Sequence, residues 1–154
     1  MKIFSDMSGA WRGQSGFRLM PADPFHEAPA TAQVTLGAGG HLVCVSYTWQ
    51  HPDDGPQEGM LTVGATDENT RLTALWADSW HQQPAPMLMH GAPGPHGIEV
   101  EAEYAEGWLW RIALNAGDPG TLRIGMDNVI PSAHATDEKA AGPYAVMAAT
   151  LTRS

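Results

Sequence analysis

Short runs of alternating apolar and polar residues recur along most of this chain, each closed by Gly, Pro, Asp or Asn. No long segment carries the 3.6-residue period of a helix, which removes βαβ folds. The cleanest run is Ile98-Glu99-Val100-Glu101-Ala102-Glu103-Tyr104, whose apolar and acidic residues point to opposite faces. Its glutamates read as a solvated face. Further runs cover 11–20, 31–36, 41–51, 59–66, a central stretch from Arg71, 87–90, 108–114, 121–130 and 143–153. Residues 2–8 form a short helical turn, with Ile3, Phe4 and Met7 on one side. Loops are expected at 21–29, which holds Pro21, Pro24 and Pro29, at 67–70 as a hairpin, at 91–97, at 115–120 and at 132–142.

About ten strands in succession with short links favour an up-and-down meander, and closure removes the two edges that an open meander would expose. The expected fold is all-β: a single domain over 1–154, built as a closed or nearly closed antiparallel barrel of about ten strands behind a short N-terminal helix. A β-sandwich is the alternative.

Composition narrows the function classes. With 17 acidic and 8 basic residues the formal net charge is -9, so neither nucleic acid nor an anionic membrane is an expected partner. The single cysteine, Cys44, excludes an intramolecular disulfide, and its apolar run assigns it to the core. The start of the chain has no signal-like apolar stretch, and no window approaches the ~18 apolar residues of a membrane helix. A cytoplasmic location is expected.

The stretch Ala74-Leu75-Trp76-Ala77-Asp78-Ser79-Trp80-His81-Gln82 carries the strongest chemical signal. Strand alternation places Trp76, Asp78 and Trp80 on one face and His81 on the other. A carboxylate among tryptophans is costly unless something pairs with it. Asp78 therefore faces a wet cavity or forms a structural ion pair with Arg111 or Arg71. An Asp78–His81 dyad needs a bend before Pro84. Tyr47, Trp49 and His51 share a second aromatic face, as do Trp108 and Trp110 on a third run, with Arg111 opposed to them. Met126 and Asn128 share a face near the end of the ninth strand. The candidate ligand-binding set is Tyr47, Trp49, His51, Trp76, Asp78, Trp80, His81, Trp108, Trp110, Arg111, Met126 and Asn128. No spacing among the seven histidines matches a metal motif, and the nucleophile-elbow, phosphate-loop and dinucleotide signatures are missing.

The opening Gly9-Ala10-Trp11-Arg12-Gly13 resembles the start of calycin-type barrels, the lipocalins, fatty-acid-binding proteins and their bacterial relatives, including nitrobindin-like proteins. That resemblance implies a tryptophan packed under a basic residue of the last strand, here Trp11 under Arg153, closing the barrel base. The ordered set Tyr47-Thr48-Trp49-Gln50-His51, Asp78-Ser79-Trp80-His81-Gln82, Gly107-Trp108-Leu109-Trp110-Arg111 and Asp127-Asn128-Val129 is similar to a bacterial calycin-like family, and implies that fold over nearly the whole chain without naming a reaction. The nitrobindin-like branch binds haem through a histidine near the C-terminus. Here the last histidine is His134, in a loop, and none follows from 135 to 154.

The leading functional expectation is a barrel that binds a small, partly apolar molecule in its interior. The alternatives are an enzyme using Asp78 or His81 for proton transfer, a haem-binding barrel, and a filled barrel acting through a protein partner or as a homodimer.

Overall fold

The computed structural model describes residues 2–66 and 70–154. Its short helix α1 (Lys2–Met7) leads into ten strands: β1 (Gly9–Phe17), β2 (His26–Gly37), β3 (Leu42–His51), β4 (Gly55–Thr66), β5 (Arg71–Asp78), β6 (Gln82–Pro93), β7 (Gly97–Ala105), β8 (Trp108–Asn115), β9 (Thr121–Ile130) and β10 (Gly142–Arg153). Each strand pairs antiparallel with its chain neighbours, and β1 pairs with β10, so the meander closes into a barrel. No helix among the described residues is long and apolar enough to cross a membrane.

Inward side chains occupy the barrel axis. Val43, Val63, Val100, Met89, Leu122 and Met126 are fully buried in the middle of the barrel. The wall from β1, β2 and β10 is built from small residues, with Gly13, Ser15, Ala28, Ala30, Ala32 and Ala149 in register. That leaves volume for Trp49 and Trp76, each 1% exposed. The outer face expected to be buried is not. Leu42, Cys44, Ser46 and Thr48 point outward, leaving Cys44 half-buried on the surface of the sheet.

Prolines account for most of the shifted boundaries. Strand β2 begins at His26 and passes through Pro29, expected in a loop, and β6 runs from Gln82 through Pro84 and Pro86, where a strand was expected only over 87–90. The reason at β6 is the ladder. Strand β6 pairs with β7 only from His90 to Pro93, against Ile98 to Glu101. Residues 82–89 carry no ladder toward β7, and 83–86 none toward β5, so a missing proline N–H costs no bond there. The barrel wall is thus split along the upper part of the β6–β7 boundary. The hairpin expected at 67–70 lies outside the described residues except for Thr70.

At the lower end α1 plugs the barrel with Phe4 and Met7, 1% and 0% exposed. The Trp11 indole N–H donates to the Met7 carbonyl at 2.8 Å. The Arg153 guanidinium lies 4.4 Å from the centre of the Trp11 ring and donates to the carbonyls of Ser8 (2.7 Å) and Asp6 (2.8 Å). One side chain therefore ties the last strand to the end of α1 and to the first strand. Replacing Arg153 with Ala removes two charge-assisted bonds and a cation–π contact, and is expected to lower the unfolding free energy in urea by about 1–3 kcal/mol. A Lys at 153, which keeps the charge and loses the fork, is expected to restore only part of it.

Candidate functional site

The upper end is organised by Asp78, which is 3% exposed. Its Oδ2 accepts the Tyr47 hydroxyl at 2.7 Å and the Trp49 indole N–H at 3.1 Å, and its Oδ1 accepts the backbone N–H groups of Trp80 and His81, both at 2.9 Å. Tyr47 in turn accepts the Trp76 indole N–H at 2.8 Å. Four neutral donors thus saturate the carboxylate, and no arginine takes part. The expected ion pair is corrected here: Arg111 points outward from β8 and bonds Glu101 at 3.1 Å, with Glu99 at 3.5 Å. Arg111 therefore leaves the candidate ligand set, and the glutamates of β7 serve as its partners on the solvent face.

Register explains how the tyrosine reaches the carboxylate. Tyr47 pairs with Gly59, and Gly59 pairs with Asp78. A Cβ on Gly59 would sit 2.1 Å from the Tyr47 hydroxyl and 2.8 Å from Asp78 Oδ2. The glycine is the gap through which the bond passes. Burial, then the adjacent Asp78 charge, push the Tyr47 phenol well above its ordinary range, so Tyr47 stays a protonated donor.

The two backbone bonds to Oδ1 make Asp78 the head of an Asx-type turn, which ends β5. The turn overrides strand alternation beyond residue 78. His81, expected on the opposite face, is folded inward, with its ring 4.7 Å from Trp49, 5.0 Å from Trp80 and 5.2 Å from Trp110. The imidazole does not bond the carboxylate, so Asp78 and His81 form no dyad. Only the His81 backbone reaches Asp78.

Around this turn lies a cluster of rings. Phe17 packs 5.0 Å from Trp49 and 5.0 Å from His51, His51 stacks on Trp80 at 4.6 Å and 25°, and Trp76 stacks on Trp110 at 5.5 Å and 9°. His51 is 7% exposed, and its Nδ1 accepts the backbone N–H groups of Asp53 (3.1 Å) and Asp54 (3.0 Å). That lone pair is committed, which assigns the proton of the neutral ring to Nε2. Asp54 Oδ2 also approaches the same nitrogen, at 3.5 Å. Inside the cluster His51 Nε2, both nitrogens of His81 and Trp110 Nε1 are buried with no hydrogen-bond partner, as is Ser15 Oγ below Phe17. Buried polar atoms nearly always find partners, so five in one half of a barrel need an explanation.

The remaining candidates fall elsewhere. Met126 is core. Asn128 is held at the rim, accepting from the Tyr104 hydroxyl at 2.6 Å and donating to Tyr144 at 3.3 Å. Trp108 packs 5.8 Å from His134. Phe17, Ser15 and Gly59 belong to the site but were not among the residues read from sequence. A glycine within an otherwise alternating strand was the available signal for Gly59.

A metal and a haem are both tested by this geometry. A metal at His51 Nε2 would need the lone pair that the tautomer denies it, and no group of three His, Cys, Asp or Glu side chains converges among the described residues. Porphyrin does not fit either. His51 contacts three other rings of the cluster and His81 four, and a macrocycle on either would displace them. A concavity of about 630 Å³ is lined by Thr31, Ser46, Thr48 and Met60 and also by Tyr47, Gly59 and Asp78 of the network, but by none of Phe17, His51, His81 and Trp110. No family model and no curated protein matches the chain.

Asp78→Asn strips the carboxylate of two of its bonds, at about 1.5–3 kcal/mol each, so unfolding in urea is expected to lose roughly 3 kcal/mol or more. Gly59→Ala, which pushes Tyr47 off Asp78, is expected to cost about 1–3 kcal/mol. Burial, opposed by Asp78 and assisted by His51, lowers the His81 pKa from 6.5 to about 4. Between those values the unfolded chain binds a proton that the folded one does not. Stability is therefore expected to fall as pH drops from 6.5 toward 4, by roughly 3 kcal/mol at most, and this slope is expected to flatten in His81→Phe.

Proposed function

We propose that this barrel is a calycin-like binding protein that holds a small, partly apolar molecule at the upper end of its interior, among Phe17, Trp49, His51, Trp80, His81 and Trp110. The observation that carries the reading is the set of unpartnered nitrogens on His51, His81 and Trp110 inside a wall of rings. Apolar walls with a few convergent polar atoms are the ordinary composition of a small-molecule site. The tie between Trp11 and Arg153 at the opposite end supports the calycin-like part of the reading, and the acidic, single-cysteine chain suits a bacterial cytoplasm.

A second reading, an enzyme, rests on His81 alone. With its pKa lowered to about 4, the imidazole is neutral near pH 7 and keeps an uncommitted lone pair. Asp78, saturated by four donors, is the scaffold of the turn that delivers His81 and is not the proton carrier.

The test is mass under native conditions. The purified chain is expected to carry an excess that disappears on denaturation and falls in His81→Phe. A native mass equal to the denatured mass, together with a thermal midpoint that no member of a small-molecule panel raises, would overturn the binding reading.

A further inference from the structure

The chemistry of the unpartnered atoms specifies the ligand, if the cluster is a binding site as proposed above. His51 presents Nε2–H as a donor, because its other nitrogen is held by the Asp53 and Asp54 amides. Trp110 presents Nε1–H, which can only donate. His81 adds one donor and one acceptor. Donors therefore outnumber acceptors. Charge is disfavoured in both senses. Among the described residues no guanidinium or ammonium faces the cluster to hold an anion: Arg111 is turned to Glu101 outside, and Arg18 to the carbonyls of Ala145 and Pro21. A cation would meet indole and imidazole N–H groups end-on.

The place of entry is set by the strand ladder. Beside Trp110 the wall is split, since residues 82–89 of β6 and 102–105 of β7 share no pairing. Trp110, Met87 and Ala102 line that split, each half-buried and packed against the core. The stack of Trp110 on Trp76 joins β8 to β5 behind it.

The geometry points to an uncharged, planar molecule carrying hydrogen-bond acceptors, of the class of aromatic lactones, lactams and quinones, seated against Trp110 and His81 and entering through the β6–β7 split. An aromatic face matches the rings, and a carbonyl oxygen matches the N–H groups.

The experiment titrates the ¹⁵N-labelled full chain with four probes of similar size: coumarin, naphthalene, 1-naphthoate and 1-naphthylmethylammonium. The readout is the set of indole N–H signals. Coumarin is expected to shift the Trp110 signal and to bind about tenfold more tightly than naphthalene or either ion. In Trp110→Phe, which keeps the ring and loses the N–H, that preference is expected to collapse while naphthalene binding persists. Ala102→Trp, which fills the split, is expected to abolish coumarin binding with the other indole signals intact. Naphthalene or an ion binding as well as coumarin would overturn the ligand class and leave the binding reading standing. Full coumarin affinity in Ala102→Trp would overturn the entry route. Failure of all four probes to perturb any indole signal would overturn the binding reading itself.

Discussion

A buried carboxylate held by neutral donors fixes the upper half of this barrel. Asp78 gathers a tyrosine hydroxyl, an indole N–H and two backbone amides drawn from β3 and from its own turn. Its hold on Tyr47 sets the place of Trp76, and its hold on residues 80 and 81 ends β5 and turns His81 inward. An arginine partner would have satisfied the charge as well, but would have used up the volume that the rings fill. The arginine that sequence offers for the role, Arg111, is bound to Glu101 on the other side of the wall. Small, directional donors leave the interior to aromatic groups, and every ring contact around His81 depends on that choice.

The two ends of the barrel contrast in how they treat polar atoms. At the lower end the Trp11 indole and two of the Arg153 guanidinium nitrogens all find carbonyls on α1 or just after it. At the upper end the network around Asp78 is complete, yet the layer of rings beside it leaves four ring nitrogens without partners. A fold that satisfies its polar groups at one end has no structural need to orphan them at the other. The cost of a buried, unpaired N–H is about 1–3 kcal/mol.

Much of the fold was legible because its strands alternate and its turns carry Gly, Pro and Asp. In β7 and β8 the alternation separates inward Ile98, Val100, Ile112 and Leu114 from the outward charges, and fails at Tyr104, which is 45% exposed where the register of β7 shifts. The sequence was misleading where a strand has no ladder partner, as at Pro84 and Pro86, because a proline interrupts a strand only if its N–H would have been needed. The face of Leu42 and Cys44 was misread for a different reason. Both faces of β3 are apolar enough to be core, and only the small-residue wall of β1, β2 and β10 decides which face has tryptophan-sized space opposite it.

The site was half legible. Trp49, His51, Trp76, Asp78 and Trp80 were read from alternation and converge as expected of a shared inner face, but the position of His81 depended on a local event that periodicity does not encode. Asp78 followed by Ser79-Trp80-His81 can continue as strand or close as an Asx turn, and the two differ by the bonds that Oδ1 makes to two amides. The same carboxylate decides both alternatives. By accepting those amides it breaks the period of the strand, and the break brings His81 within 5.2 Å of Trp110, a residue 29 positions later that no reading of the central stretch alone could have joined to it.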